Sequence, residues 1–362
     1  MYYYRIAALR LRSRFPFHSY AAFASEPGEA DVTVEMTEKN PPDGERDVSG
    51  DIEHCRVPGG WFISTRDAGR KGLFVNDDYS LLQITGAEGD SLFQEGEWLV
   101  RLALECWLAR HGFVSIHAAA VEKNGEAYAF SGPSGIGKST RAKAWEETLD
   151  AELINGDRPL VDTRNLELYG IPWDGKEQCF RNVHYPLKAI CEVRRSGSVY
   201  IRNMSYMQRR KLLLRQGFMP MWDTETSVIQ ISNISRLARN ADMIRIFGGP
   251  TTEDVQALYS ALQKKQYLKE ETDMKAKTGF VLRNVVDEFI LMPTGDNIGQ
   301  FNGTVLLNEV SAFVWEKLQN PMSREDLLNA VLDEFDVEKA VASADLDTLL
   351  KTLLEYGVIE ND

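Results

Sequence analysis

The sequence predicts an α/β protein with a β-rich layer ahead of its central region and a small α+β unit behind it. Three observations predict this class. A glycine-rich loop over residues 132–140 stands between a short apolar run and a helical pattern. Residues 1–95 consist of short strand-like runs separated by turn formers. A charged, apolar-poor run over residues 265–277 precedes a last unit, residues 278–362, in which three strand patterns are followed by three helical patterns, in the manner of a winged helix.

Composition narrows the class of protein. The chain has 362 residues and a formal net charge of −13, which disfavours non-specific binding to nucleic acid or to an anionic membrane. Its four cysteines form no C-x-x-C pair, so neither a zinc knuckle nor a disulfide framework is indicated. No apolar run approaches the roughly 18 residues that span a membrane, and residues 1–17 lack the apolar core of a signal peptide. We therefore expect a cytoplasmic protein with no nucleic-acid or membrane partner.

The β-rich region begins with apolar residues that alternate with arginines, which is typical of one or two strands. The breaker-rich residues 40–50 predict a loop. Further strand-like runs cover residues 31–36, 60–64 and 72–75. The pattern indicates a fold for this region but no function.

The central region, residues 96–268, predicts an α/β nucleotide-binding domain because helical and strand-like patterns alternate along it. The Asn124-Gly125 pair predicts a tight hairpin turn between strands over residues 113–121 and 125–131. The predicted helices cover residues 97–111, 139–148, 205–216 and 252–265, and the other predicted strands cover residues 151–154, 166–169, 188–192 and 199–202.

Residues 132–140, GPSGIGKST, form a complete G-x-x-x-x-G-K-[ST] phosphate loop. Its glycines let the backbone turn tightly and present N–H groups to phosphate oxygens. Lys138 can reach the β- and γ-phosphates, and the Ser139 hydroxyl can bind Mg²⁺. The loop therefore predicts binding of a nucleoside triphosphate at a helix N-terminus. The predicted contacts come from Gly132, Ser134, Gly135, Ile136, Gly137, Lys138, Ser139 and Thr140.

Three further side chains are candidates for the same site. His117 precedes Gly132 by fifteen positions, and an antiparallel return would bring its strand beside the strand of the loop. Asp157 follows an apolar run, where a carboxylate next to a phosphate loop holds Mg²⁺. Arg158 could neutralise phosphate charge. Each also has a structural interpretation, as a strand histidine, a turn aspartate and a surface-paired arginine.

A second glycine-containing loop, residues 170–177, supplies another candidate. Lys176 and Asp174 could reach a transferred phosphoryl group and its acceptor. The alternative is a structural turn around a buried Trp173. The remaining histidines show no metal-ligand spacing with one another or with the cysteines.

Taken together, His117, the phosphate loop and Asn155-Gly156-Asp157-Arg158 resemble the catalytic core of the HPr kinase family. That family shares its P-loop core with ATP-dependent phosphoenolpyruvate carboxykinases, and the resemblance covers about residues 113–190. It implies ATP and Mg²⁺ as cofactors, with Ser139 and Asp157 on the metal, and His117, Lys138, Asp157, Arg158 and Lys176 as catalytic residues. It would also imply a homo-oligomer, since HPr kinases are hexamers.

The sequence departs from the family at one position. The family's acidic motif usually has two adjacent aspartates, whereas here Gly156 precedes Asp157. Asp157 could do both jobs, or a second acceptor of the proton could be Asp174, Glu177 or His117. Transfer with little help from a base is also allowed, because phosphoryl transfer depends mainly on positioning and charge. Complete loss of kinase activity is allowed as well.

The C-terminal unit resembles a PqqD domain, the peptide-chaperone fold also called a RiPP recognition element. The residues that carry the resemblance are Gly279–Arg283, Phe301–Gly303, Leu306–Asn308, Ala312–Trp315 and Leu353–Ile359. The resemblance implies a leader peptide that adds as a strand near Phe301 to Leu307 and packs against the helix from Asp345 to Tyr356. The alternative is a winged helix for nucleic acid or oligomerisation, but the charges on the last helix do not favour DNA.

The two resemblances combine in one hypothesis. A leader-binding domain joined to a kinase-like domain raises the local concentration of one precursor peptide. We expect ATP-dependent phosphorylation of a Ser or Thr hydroxyl in a ribosomally made peptide. Three alternatives stay open: a peptide-adenylylating enzyme, an inactive ATP-regulated peptide chaperone, and HPr serine kinase itself, which would need no appended peptide domain.

Overall fold

A computed structural model describes residues 1–66, 72–85, 92–173, 179–268, 273–285, 288–295 and 304–361. The chain is a mixed α/β protein with several sheets, and it divides into two compact units, residues 1–268 and 269–362. The division into three domains stays a prediction. Asp174, Lys176 and Glu177 lie outside the described residues, as do residues 301–303 of the predicted leader-binding strand.

The first unit begins with an eight-stranded sheet and a short 3₁₀ helix over His18–Phe23. Leu9 and Leu11 point into the core while Arg10 between them is exposed, which is the alternation that the sequence predicts. The strands are β1 (Tyr2–Ile6), β2 (Leu9–Ser13), β3 (Val32–Thr37), β4 (Asp47–Ser49), β5 (Ile52–Val57), β6 (Gly60–Thr65), β7 (Leu73–Asn76) and β8 (Leu81–Thr85), in the order β1-β2-β3-β8-β7-β6-β5-β4.

A second sheet of nine strands follows, with helices packed on both faces. The strands are β9 (Phe113–Ser115), β10 (Ala118–Lys123), β11 (Glu126–Ser131), β12 (Glu152–Asn155), β13 (Leu160–Asp162), β14 (Glu167–Tyr169), β15 (His184–Arg194), β16 (Tyr200–Asn203) and β17 (Met243–Phe247). The helices are α1 (Leu92–Arg110), α2 (Lys138–Leu149), α3 (Tyr206–Gln216), α4 (Thr224–Asn240) and α5 (Thr252–Gln263). The main strand order is β12-β10-β11-β15-β14-β13-β9, with β17 beside β15 and β16 beside β17.

The directions of the strands place the carboxyl ends of several of them at one edge of this sheet. Strand β11 is parallel to β15, and β15 is parallel to β17. Strand β10 is antiparallel to both β11 and β12. Strands β11, β12, β15 and β17 therefore all end at the edge where β10 begins. In α/β sheets, ligands bind outside the carboxyl ends of parallel strands.

The antiparallel return predicted for the His117 strand is present. In the β10–β11 hairpin, Ala118 lies opposite Ser131. Asn124 and Gly125 form its turn with φ of 56° and 78°, the left-handed values that favour an Asn-Gly pair.

The structure differs from the sequence prediction between residues 113 and 121. One strand was expected there, but β9 pairs with β13 and β10 pairs with β11 and β12. At the junction, the His117 N–H donates to the Gln216 carbonyl at 2.7 Å, and the Ala118 N–H donates to the Asp157 carbonyl at 2.8 Å. This change of partner interrupts the strand and leaves His117 at the sheet edge.

Alternate residues of β10 pack into two separate hydrophobic cores. Ala118 and Ala120 face the core that contains α3 and α4, while Ala119 and Val121 face the core that contains α2 and α5. A third core joins the first sheet to α1. None of the helices in the described part of the chain is both long and apolar enough to cross a membrane.

The elements described in the second unit are β18 (Met274–Ala276), β19 (Phe280–Val285), β20 (Glu288–Pro293), β21 (Val305–Leu307), α6 (Glu309–Lys317), α7 (Arg324–Glu334), α8 (Lys339–Glu355) and β22 (Ile359–Asn361). Among the described residues of this unit, one sheet has the strand order β19-β20-β21, and β18 pairs with β22 in another. Asn308 caps α6 and Ser323 caps α7, as predicted. Helix α8 begins six residues before the predicted Asp345.

Candidate active site and peptide groove

The glycine-rich loop connects the end of β11 to the start of α2. Gly132, Gly135 and Gly137 have φ of 145°, 76° and 106°, a backbone conformation that other residues rarely adopt. The first backbone hydrogen bond of α2 runs from the Arg141 N–H to the Gly137 carbonyl at 2.9 Å. The amides of residues 138–140 are therefore not used by the helix itself, which gives an anion a binding place at its N-terminus.

The Lys138 side chain is buried within the curl of the loop. Its ammonium donates to the carbonyls of Gly132 and Pro133, each at 3.2 Å. Burial lowers the pKa of Lys138, and the negative charge of Asp157 opposes that shift. The ammonium thus lies at the inner face of the loop, where phosphate oxygens can replace the two carbonyls. Ser139 is exposed at the start of α2.

Two arginines from neighbouring elements contact backbone carbonyls around the loop. Arg141 of α2 donates to the carbonyls of Gly248 and Gly249, at 2.6 and 2.9 Å, just beyond the end of β17. Arg195, just beyond β15, donates to the Gly135 carbonyl at 3.0 Å. The sequence does not predict the Arg195 contact, because it depends on β15 lying beside β11.

His117, Asp157 and Arg158 lie together at the same sheet edge. The His117 Nε2 is 3.2 Å from Oδ1 of Asp157, and the Arg158 Nε is 3.9 Å from Oδ2 of Asp157. The hydrogen bond from His117 lowers the pKa of Asp157; burial opposes this shift, and the charges of His117 and Arg158 reinforce it. Both His117 and Asp157 are partly exposed, at 31% and 29% of their side-chain surface, so a ligand can reach them.

Asn155 holds the turn that carries Asp157 and Arg158. It is fully buried, and its Oδ1 accepts from the N–H groups of Asp157 at 3.0 Å and Arg158 at 2.7 Å. Its Nδ2 donates to the carbonyls of Ile171 at 2.9 Å and Trp173 at 3.3 Å. The sequence predicts a turn here but not this bracing role, since both carbonyl partners lie more than fifteen residues away.

The site offers few protein ligands for a metal, which suits a magnesium ion that is held mostly by phosphates. Among the described residues, no group of three or more His, Cys, Asp or Glu side chains could hold a metal ion. Mg²⁺ bound to a nucleotide needs only one or two carboxylates from the protein. The Asp157 carboxylate and the Ser139 hydroxyl are of the right chemical kind. The residue immediately before Asp157 is Gly156 and not a second acid.

The second glycine loop is described only up to Trp173, so Lys176 stays a predicted site residue. Trp173 is buried, and its Nε1–H donates to the Tyr20 hydroxyl at 2.8 Å. The buried Trp173 therefore fits the structural interpretation of this loop, a turn around a buried tryptophan.

A groove of about 1110 Å³ lies between β21 and α8 of the second unit. Leu306 on the strand and Tyr356 at the end of the helix line it, and they are 65% and 52% exposed. Strand β21 is the last in its sheet order, so one side of its backbone has no strand partner among the described residues. An extended peptide can pair with such an edge and bury its side chains in the groove. Residues 304–307 and eight of the residues from Asp345 to Tyr356 line the groove, and all of them belong to the predicted leader-binding surface.

Comparison with known proteins identifies the C-terminal unit. Residues 288–359 match the family described as coenzyme PQQ synthesis protein D (PqqD). The chain therefore carries a PqqD domain, as the sequence predicts. None of the curated proteins compared with the chain matches it. The resemblance of residues 113–190 to HPr kinases stays a prediction.

Two solved structures are similar to part of this chain. One is TbiB1 in complex with the TbiA(beta) leader peptide, which is 22% identical with a TM-score of 0.21 over 24% of this chain and 94% of that one. The other is lasso peptide synthetase B1 complexed with its leader peptide, which is 20% identical with a TM-score of 0.21 over 24% of this chain and 96% of that one.

Proposed function

We propose that this protein is an ATP-dependent kinase that phosphorylates a Ser or Thr hydroxyl of a ribosomally made precursor peptide, and that its PqqD domain recruits the peptide by its leader. The observation that carries the proposal is the His117–Asp157 pair, at the same sheet edge as a phosphate loop, in a chain that also carries a PqqD domain. Joining the two parts raises the effective concentration of the precursor at the nucleotide site.

The triphosphate would be held by the amides of the loop and by Lys138. The amides at the start of α2 that the helix does not use and the Lys138 ammonium are the positive groups of the loop. Arg195 adds a guanidinium next to Gly135. Mg²⁺ would be held by Ser139 and Asp157, and when bound it supplies charge neutralisation between the phosphates.

The transfer step needs positioning more than a strong base. The acceptor oxygen forms a bond to the γ-phosphorus while the bond from that phosphorus to the ADP oxygen breaks, which gives a phosphopeptide and ADP. Because the pKa of Asp157 is lowered, its carboxylate is a weak base and better suited to binding metal. The hydroxyl proton then passes to the transferred phosphoryl group late in the step, with His117 and Arg158 stabilising charge.

The peptide-binding part of the proposal depends on the groove of the second unit. A leader that adds to β21 would gain backbone hydrogen bonds from the edge and apolar contacts with α8. A leader peptide is the occupant that we propose for this groove, because residues 288–359 match the PqqD family.

A second candidate function follows from Gly156. Without the paired acid, the chain could hold ATP without turning it over and act as a regulated peptide chaperone. The kinase, the peptide-adenylylating enzyme and the chaperone differ in their products. Transfer gives phosphopeptide and ADP, adenylylation gives adenylyl-peptide and pyrophosphate, and a chaperone gives neither.

The test is to incubate the full chain with Mg·ATP and the precursor peptide encoded beside its gene, followed by intact mass spectrometry. We expect a gain of one phosphate and a fall of roughly 10²–10³-fold in rate for Lys138→Ala. Lys143→Ala is the matched control, because Lys143 lies on the same helix with its side chain 74% exposed. An unmodified peptide that nevertheless binds the chain would reject the kinase and favour the chaperone.

A further inference from the structure

The negative charge of this protein is concentrated in its PqqD-containing unit. Residues 269–362 contain 19 aspartates and glutamates against 8 lysines and arginines, a net charge of −11 within the −13 of the whole chain. Residues 1–268 are close to neutral by the same count. A field of this kind attracts cationic partners and repels anionic ones at the distance of an encounter.

The groove itself has the same sign of charge. The described residues that line it include two charged side chains, Asp345 and Glu355, both exposed on α8. The ammonium of Lys351 is 3.9 Å from Glu355, but both side chains are largely exposed, so this pair neutralises Glu355 only weakly. The apolar floor is therefore flanked by two carboxylates that face an incoming peptide.

The spacing of the two carboxylates corresponds to a short length of extended peptide. Asp345 and Glu355 are ten residues apart on one helix, or about 15 Å at 1.5 Å per residue. Four residues of a strand span about 13 Å, and residues at an even spacing point to the same face. Two basic side chains four residues apart can thus approach both carboxylates while the apolar side chains between them enter the groove.

We infer that the leader recognised by this groove is basic, with Lys or Arg side chains about four residues apart on the face that meets α8 at Asp345 and Glu355. This inference rests on the proposed peptide-binding role and adds the chemical class of the peptide. The apolar contacts and the β21 edge supply affinity, and the carboxylates supply selection against acidic peptides. The selection weakens as salt rises, because both carboxylates are exposed.

The experiment uses the full chain and a displayed library of peptides with alternate apolar positions and randomised positions between them. The groove variant is Asp345→Asn with Glu355→Gln. Its control, Glu316→Gln with Asp333→Asn, removes the same charge from exposed residues of α6 and α7 that do not line the groove. Leu306→Asn tests the groove without changing charge.

We expect selected peptides to be enriched in Lys and Arg at paired positions, and the groove variant to bind one such peptide roughly tenfold more weakly. The control variant should keep its affinity. Binders without basic enrichment, or an equal loss in the groove and control variants, would overturn the inference while leaving peptide binding intact. Failure to select any peptide sensitive to Leu306→Asn would overturn the peptide-binding role as well.

Discussion

The imidazole of His117 lies 3.2 Å from the carboxylate of Asp157, although the two residues are forty positions apart in the chain. The contact joins the start of β10 to the turn that follows β12. It forms because the chain changes strand partner just before β10, where the Ala118 N–H donates to the Asp157 carbonyl at 2.8 Å. The same backbone hydrogen bond that interrupts the strand therefore also places the His117 imidazole beside the Asp157 carboxylate.

Asp157→Asn tests this pair through its pH dependence. Because the pKa of Asp157 is lowered in the folded state, its carboxylate stabilises the fold above its unfolded pKa of about 3.9 and loses that contribution as the pH falls through the lower, folded value. We expect the wild type to be more stable than the variant at neutral pH, and the difference to shrink below about pH 4. Urea unfolding across this range measures it.

The control for this measurement is Glu147→Gln on α2, where the side chain is 67% exposed. For Glu147→Gln, the difference in unfolding free energy between the variant and the wild type should stay constant across the same pH range. If Asp157→Asn also gives a constant difference across the acid range, the His117 contact does not stabilise the carboxylate.

Gly156→Asp tests the missing acid. Gly156 does not have a left-handed backbone, and a Cβ there would lie 3.5 Å from the nearest atom, the Cys179 carbonyl oxygen, which is ordinary contact. We therefore expect the variant to fold with an unchanged melting temperature. Under the proposed kinase activity the rate should rise by no more than about tenfold, below the usual gain from a base, because the transfer needs little proton abstraction.

The outcome of Gly156→Asp is read by phosphopeptide formation in single turnovers. Gly197→Asp serves as a control, since a Cβ at Gly197 would meet open space. A gain of several hundredfold would mean that proton abstraction limits the wild type. A loss of activity with an intact fold would mean that a second carboxylate interferes with the phosphates.

Asn155→Ala tests the bracing of the acidic turn. The change leaves two N–H groups and two carbonyls without their partner inside the protein, and we expect a loss of roughly 2–4 kcal/mol in the free energy of unfolding. Asn155→Asp should recover part of this, since a carboxylate still accepts from the Asp157 and Arg158 amides but cannot donate to Ile171 and Trp173. Equal stability of the two variants would contradict the bracing role.

The local features of the site were predictable because they follow from short segments. The phosphate loop is read from nine consecutive residues, and the Asn124-Gly125 turn and the Asn308 cap follow from single-residue preferences. Contacts between distant segments were not predictable in the same way. Asn155 braces carbonyls far along the chain, and Arg195 meets the loop only through the neighbouring strand.

The longest described element that the sequence does not predict is α4, with seventeen residues. Its buried face includes the polar side chains of Gln230 and Asn233, so the apolar periodicity is interrupted. Those side chains are satisfied by partners such as the Ala109 carbonyl, to which Asn233 donates at 2.7 Å. Because the buried polar side chains of α4 find partners on another helix, the local sequence pattern does not indicate that this face is buried.

Leu306→Asn tests the peptide groove as a surface rather than as part of the core. Leu306 is 65% exposed, so the change should leave the melting temperature unaltered. Loss of its apolar contact should weaken binding of the leader by roughly tenfold, measured by fluorescence anisotropy with the full chain. Met292→Asn is the control, because Met292 is 42% exposed on the neighbouring strand β20 and does not line the groove. An equal effect of both variants would reject the groove as the binding surface.

The last prediction concerns Asp223, which joins three parts of the first unit. Its Oδ2 accepts from the Tyr79 hydroxyl at 2.9 Å and from Arg110 Nη2 at 3.2 Å, and its Oδ1 accepts from the Thr226 N–H as the cap of α4. Tyr79 lies between β7 and β8, and Arg110 ends α1. One buried carboxylate thus links the first sheet to two helices.

Burial would raise the pKa of Asp223, but its hydrogen bonds outweigh this effect and lower the pKa. Asp223→Ala removes the cap and leaves Arg110 and Tyr79 without this acceptor, so we expect a loss of roughly 3–5 kcal/mol in unfolding free energy. Tyr79→Phe removes one hydrogen bond and should cost about 1 kcal/mol. In the double variant, the tyrosine change should cost almost nothing further, because its acceptor is already absent. Strictly additive losses in urea unfolding would show that Tyr79 and Asp223 stabilise the fold independently.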